Sequence, residues 1–377
     1  VIVAFTMMAA YYVNDVVAPL KTMLETDLAW SSTDFGFFTG GYSFLNVFFL
    51  MLIWGGLILD RFGIRFTGKL ATILMVGGTA LEYYAMTGLA GADATLFGIN
   101  EIFGYKTGVF VAFAGYSIFG VGAEVAGITV SKIIAKWFKG KELATAMGVQ
   151  VALARIGSQA GYAVAIPLAR AFGISTPVLL GLVLLLGGMI AFFVFTVMDK
   201  KLDKQMEAAA IAAGTEDEEE KFSFKDVKNI LVNPGFWLIA LLCVLFYSCV
   251  FPFQKFASEL MIIKYGINEN VAGTFAGLPA LGALILTPVF GGFIDKRGKS
   301  ASIMLLGSAM LICVHFIYAI PDINYWLVAI VLMIILGIAF SLVPSAMWPA
   351  VAKIFPVSQL GTAYALIFFI QNIGLWG

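Results

Sequence analysis

The chain has 377 residues, of which 61% are hydrophobic and 12% charged, about half the roughly 25% charged share of soluble domains. A mean hydropathy of +0.95 leaves most helices without a polar face, which excludes a water-soluble core. Basic and acidic residues balance at 23 each, so net charge says little about partners and the positions of the charges carry the information.

Runs of about 20 apolar residues predict spans near 1–20, 34–59, 67–90, 107–135, 142–169, 173–198, 236–263, 270–294, 300–320, 324–349 and 358–377. The chain opens and stops inside apolar stretches. It reads as a piece of a longer protein, lacking the start of the first span and everything beyond the start of the eleventh. Loops 60–69, 132–141, 199–204 and 296–299 are rich in Lys and Arg, whereas 21–33, 91–106 and 264–269 are acidic or mixed. The positive-inside rule places the basic set and the N-terminus in the cytoplasm. Residues 199–235 form the one long polar connection, and the acidic run 216–220 within it reads as solvated, because like charges in a block repel. Cys243, Cys249 and Cys313 all fall in apolar segments and read as small buried hydrophobes, spaced for neither a metal nor a disulfide framework.

An internal repeat organises these spans. Gly56 to Arg65 contains Asp60-Arg61-Phe62-Gly63, and Gly291 to Lys299 contains Asp295-Lys296-Arg297-Gly298, with the two aspartates 235 residues apart. A second pair of matching segments, Ala135-Lys136-Trp137-Phe138 and Ala352-Lys353-Ile354-Phe355, lies at an offset of 217. Carried forward, that offset sets Arg155 against Asn372, a charge present in one half alone. Repeats of this kind build duplicated membrane bundles, a carrier architecture. The loop motif resembles that of the major facilitator superfamily. The resemblance implies an all-α membrane fold of two six-helix bundles, 1–198 and 236–377, joined by a cytoplasmic linker over 199–235. The second bundle would be incomplete, and spans 1, 4, 7 and 10 would line a central cavity.

Ionisable groups at bilayer depth are functional candidates by default. Glu124 lies 12 residues before Lys136 and Arg155 lies 14 after Lys141, about 18 and 21 Å above the same side. On antiparallel neighbouring helices roughly 8–10 Å apart, the two are expected within reach of each other. Asp15 either lines an outer vestibule or stays wet. Glu82 is expected to snorkel from an outer helix end, and Lys255 and Glu259, four apart, to pair with each other. Pro252 favours a bend that would serve as an outer gate or as a plain kink. His315, with no acidic neighbour in sequence, reads as a satisfied buried residue.

Several runs narrow the resemblance: Trp137 to Leu143, Ala154 to Ser158, Val250 to Phe253, Trp348 to Ala352, Gln359 to Tyr364 and Gln371 to Leu375. Together they are similar to the branch of animal lysosomal dipeptide transporters and their bacterial relatives. That similarity implies passive or loosely coupled transport of dipeptides or other short peptides by alternating access. It also implies that Glu124 and Arg155 hold the peptide's amino and carboxyl ends, and the substrate candidates are completed by Tyr116, Trp348 and Asn372. Asp60, Arg61, Arg65, Asp295 and Lys296 would form a cytoplasmic latch, the arginines pairing across the bundle interface. Tyr116 stands ahead of Gly120 where the superfamily often has arginine, and Gly157 to Gly161 lacks the proline of antiporters, so a uniporter or symporter is favoured over an exchanger.

A zwitterion needs an acceptor for its ammonium and a donor for its carboxylate, and Arg binds the latter through a planar fork. Two other readings stay open: a proton-linked carrier of organic anions or amino acids with Glu124 as the proton site, and a membrane sensor or assembly protein without transport. The chain shows no nucleotide-binding loop of the GxxxxGK[ST] type and no catalytic set. It is expected to be no enzyme, to need no cofactor or metal, and to bind no nucleic acid. Its expected partners are a short peptide and membrane lipid, as a monomer with an accessory subunit unknown, in the inner membrane if bacterial.

Overall fold

The computed structural model describes residues 2–91, 94–138, 143–213, 224–355 and 357–376. The acidic run 216–220 and the side chains of Asp60 and Asp295 lie outside the described residues. The helices are α1 Ile2–Val16, α2 Lys21–Asp27, α3 Ser32–Phe48, α4 Met51–Thr87, α5 Thr107–Trp137, α6 Leu143–Phe172, α7 Thr176–Ala213, α8 Phe224–Val232, α9 Pro234–Ile263, α10 Glu269–Ala276, α11 Leu278–Arg297, α12 Ser300–Ala319, α13 Trp326–Ile354 and α14 Val357–Trp376. One or two of them cover each of the eleven expected stretches. Among the described residues seven helical runs, two of them joined from shorter helices (α1 with α2, α10 with α11), are long and apolar enough to cross a membrane, and bent α3–α4 makes an eighth. Within 199–235, α7 continues to Ala213 and α8 adds a short helix, so this connection is partly helical.

Local chemistry sets the ends of these helices. Ser31 and Asp34 form a reciprocal capping box that starts α3, and Asn233 caps α9 with Pro234 in its first turn. The repeated loop motif has the same backbone device in both copies. Gly63 turns α4 back on itself at φ 75°, and Gly298 ends α11 at φ 68°, values that glycine adopts without a Cβ clash. A second break was not anticipated. Leu50 adopts φ 54°, and there the expected second span bends by 59°.

Two large hydrophobic clusters and one small one result. The first joins α1 and α3 to α7, the second joins α8 to α14 and takes in Ala18 and Tyr162 of the first half, and the small one gathers Ile294, Ile303, Leu342 and Ala346. Glycines let the helices of the first core approach closely. A Cβ on Gly78 would stand 2.5 Å from the Gly115 carbonyl oxygen, and one on Gly157 would stand 2.1 Å from that of Met8. Many large apolar side chains, such as Val183, Ile190, Leu238 and Leu305, are exposed and form the lipid-facing surface of a multi-pass membrane protein. Cys243 is buried, but Cys249 and Cys313 are exposed. Their helices turn those faces outward, which corrects the reading of all three as buried.

The end of the molecule that carries Gly63, Lys136 and Gly298 is called the basic end here. There Asp199, fully buried on α7, accepts hydrogen bonds from Lys136 at 2.8 Å and from the Trp137 indole at 3.0 Å. Arg65 approaches Asp199 at 3.7 Å and pairs with Asp203 at 3.0 Å. Burial works against the Lys136 charge, yet the bonds to Asp199 and Asp203 hold its pKa above the ordinary lysine value. Arg65 therefore ties α4 to α7 inside the first bundle and does not cross to the second. The reason is the turn at Gly63, which starts a helical segment packed on α7. Arg61 is exposed and lies over the Phe62 ring at 5.5 Å, with no ion pair among the described residues. Lys296 is exposed.

Candidate functional site

Polar and aromatic side chains from α1, α3, α5, α6, α9, α13 and α14 come together where the two halves of the chain meet. Glu124 of α5 accepts a hydrogen bond from the Tyr42 hydroxyl of α3 at 3.0 Å and has Asn372 of α14 beside it. Asn372 is buried, donates to the Phe368 carbonyl at 3.0 Å, and leaves its amide oxygen without a partner. Arg155 of α6 lies over Phe340 of α13 at 5.1 Å and over Tyr11 of α1 at 5.6 Å. Its buried Nε has no partner, and no hydrogen bond joins it to a described residue.

Glu124 and Arg155 form no ion pair within 4 Å among the described residues, contrary to the expected direct contact. The helices explain the correction. α1 packs on α6 while α3 and α4 pack on α5, so α1 brings Tyr11 into a position influenced by both charges. Trp348 of α13 stacks on Phe368 at 4.9 Å and lies against Tyr247 of α9, which in turn is near Arg155 and Tyr11. Arg155 and its repeat partner Asn372 thus approach the same group of side chains, from opposite halves of the chain. Tyr11, Tyr42, Tyr247 and Phe340 were missed in the sequence, because a ring in an apolar helix carries no signal of which way it faces.

Tyr116 belongs to a second group, nearer the end opposite the basic one. Its buried hydroxyl bonds the Asn14 carbonyl at 2.8 Å and receives a hydrogen bond from Lys255 of α9 at 3.1 Å. Lys255 also bonds the Asn14 carbonyl and lies 3.7 Å from Asp15. It does not pair with Glu259. That carboxylate instead meets Lys21, only 1% exposed, which also bonds Glu25 at 2.8 Å. Both corrections share one cause: the i,i+4 partners on α9 point across the interface, where opposite charges from the first bundle wait. Glu82 is fully buried, with neither carboxyl oxygen hydrogen-bonded, so it does not snorkel. α5 covers its face of α4 through the Gly78–Gly115 contact. Asp15 is buried rather than wet.

Further links close this opposite end. Arg170 of α6 pairs with Glu269 and bonds Asn270 of α10, and the Tyr162 hydroxyl donates to the Gln254 carbonyl at 3.1 Å. At the basic end, by contrast, the ion pairs of Arg65 and Lys136 stay within the first bundle. α9 runs unbroken through Pro252, with Phe251 against Phe340 and Phe253 against Tyr318. A pocket of about 440 Å³ between α9 and α12 contains Glu259 and His315. The His315 Nδ1 lies 2.9 Å from the Leu311 carbonyl, while Nε2 has no partner, so the histidine is only half satisfied.

A family model described as Major Facilitator Superfamily matches residues 2–375. The human lysosomal dipeptide transporter MFSD1 is 29% identical over 99% of this chain and 76% of its own length, and that of Danio rerio is 28% identical over 100% and 77%. Among solved structures, a D-xylose–proton symporter superposes with a TM-score of 0.69 at 16% identity, covering 100% of this chain and 87% of its own. An inward-facing, unoccupied bacterial homolog of the human lysosomal transporter Spinster gives 0.69 at 13% identity, covering 99% and 78%. These two share the fold. With helices and repeat in agreement, the chain belongs to the Major Facilitator Superfamily: it is a membrane transporter of small molecules and not an enzyme.

Proposed function

We propose that the chain carries dipeptides and other short peptides by alternating access, as a uniporter. In this reading the two cores are the moving bodies, 1–198 and 236–377, joined through 199–235, and the basic end faces the cytoplasm. The observation that carries the reading is Arg155. A guanidinium lying over two rings, with no described hydrogen bond, has its donor fork free for a carboxylate. Glu124 offers an acceptor for an ammonium group, across the Tyr11 ring. Charges held apart in this way suit a peptide, whose termini are separated by at least one amide, better than a single amino acid. The names of the MFSD1 relatives point to the same substrate class. Because the opposite end is tied by ion pairs, the arrangement corresponds to a carrier closed on the outside.

Binding measured by ligand-induced thermal stabilisation tests the reading, using dipeptides, single amino acids and dicarboxylates. Stabilisation by dipeptides alone is the expected result. A response to dicarboxylates in place of dipeptides would favour an organic-anion carrier, and no response to any of them would favour a sensor that does not transport.

A further inference from the structure

Residues 96–105, between α4 and α5, carry two tight turns of the same design. β1 Glu101–Ile102 pairs antiparallel with β2 Tyr105–Lys106, and Phe103-Gly104 is the two-residue turn between them. Just before it, Leu96 bridges to Ile99 around a second two-residue turn, Phe97-Gly98. All four turn residues have positive φ, 54° and 80° at Phe97-Gly98 and 53° and 81° at Phe103-Gly104. Such turns favour Asn or Asp ahead of the glycine, and a bulky ring in that place is strained. The strain brings no burial in return. Phe97 is 95% exposed and Phe103 89%, the two most exposed of the large apolar side chains among the described residues. Both turns are nevertheless fixed in place. Thr107, the first residue of α5, donates its hydroxyl to the Ile99 carbonyl at 2.8 Å and its amide to that of Asn100 at 2.9 Å. Tyr105 stacks on Phe37 of α3 at 3.9 Å, and Lys106 donates to the Ala29 carbonyl at 2.6 Å.

We propose that Phe97 and Phe103 are a membrane anchor, inserted into the leaflet at the end opposite the basic one. The loop sits where the membrane-length run Thr107–Ile134 begins. Phe103 lies 6.0 Å from Phe110, one turn inside that run, and ring contacts continue through Phe113 and Phe44 to exposed Phe48. The apolar surface that faces lipid therefore extends onto the loop, and lipid is the occupant continuous with it. Charge plays little part. Glu101 is the one charged side chain in 96–105, and Lys106 beside it is spent on a backbone carbonyl. The rings thus fit the acyl-chain boundary rather than a charged headgroup, and taking them out of water offsets the strain of their turns. Seated in this way, the loop fixes the depth of α3 and α5 in the bilayer, whatever solute the protein carries.

The test uses the full chain in phosphatidylcholine bilayers, without substrate, in a background lacking the exposed Cys249 and Cys313. A nitroxide is attached to Phe97→Cys, Phe103→Cys or, as a control on the same loop, Glu101→Cys, one at a time. Its collisions with oxygen, which concentrates in lipid, are compared with those of a water-soluble nickel chelate. Oxygen is expected to dominate at 97 and 103 and the nickel chelate at 101. Dominance of the nickel chelate at 97 and 103 places the turns in water. Shielding from both reagents there means that protein, such as a second copy of the chain, covers them. Either result overturns the proposal. So does an oxygen preference that appears only when anionic lipid is added, which would make the contact one of headgroup charge. Phe97→Asn supplies the residue its turn favours and so keeps the loop folded. Added to the labelled Phe103→Cys chain, it should shift that label toward the nickel chelate. An unchanged oxygen preference would mean that the stem on α5, and not the rings, sets the depth, and the anchor would be refuted.

Discussion

Arg155 is held by ring faces rather than by a carboxylate, and that sets its expected behaviour. A residue locked into a structural ion pair loses fold stability when it is altered. One lying on Tyr11 and Phe340 keeps the fold and loses its ligand. Arg155→Lys should leave the melting temperature nearly unchanged. It should weaken peptide binding roughly 10- to 150-fold, the equivalent of a charge-assisted hydrogen bond of about 1.5–3 kcal/mol. C-terminally amidated dipeptides should lose little further affinity in this variant. Glu124→Gln should weaken peptides with a free amino end to a similar degree and treat N-acetylated ones as the parent does. Binding of blocked and unblocked dipeptides to both variants checks the assignment, and equal losses across all ligands would sink it.

At the scale of elements, close helix approach depends on small residues whose role only the packed structure reveals. Gly78 on α4 meets the backbone of Gly115 and Phe119 on α5, with the nearest atoms 2.5 Å from a built Cβ. Backbone cannot swing aside as a flexible side chain can. Gly78→Ala should therefore destabilise the protein by about 1–3 kcal/mol, as overpacking does elsewhere. Thermal unfolding in detergent measures this, and Gly77→Ala, with open space around it, is the control that should change little.

Across the whole molecule, the closed end is held by charges supplied from both bundles. Lys21 is shared between Glu25 in its own bundle and Glu259 in the other. Glu259→Gln keeps Lys21 paired to Glu25, so folding should survive while closure weakens. A lost charge-assisted bond of about 1.5–3 kcal/mol corresponds to a shift of roughly 10- to 150-fold toward the open arrangement. Spin labels at Thr26 and Asp322, both exposed at this end, read this out as a distance distribution. An unchanged distance distribution would mean that Arg170, Glu269 and Lys255 suffice to keep the end shut.

Fold class and repeat were legible in the chain itself. Hydropathy alone dictates membrane-length helices, because a backbone in lipid must satisfy its own hydrogen bonds, and glycines at equal places in the repeat require equal turns. Glu124, Arg155 and Asn372 were found as site candidates for a related reason: a charge in an apolar helix, and its repeat counterpart, show in sequence. What each charge faces did not show. Lys255 with Glu259, and Glu124 with Arg155, looked like pairs because sequence spacing gives depth and helix face but not which helix stands opposite. Tertiary packing put α1 between α5 and α6, turned Arg65 inward to α7, and enclosed Glu82 without a partner. Those outcomes depend on side chains brought together from distant parts of the chain, and the energy of a buried charge is decided by such neighbours.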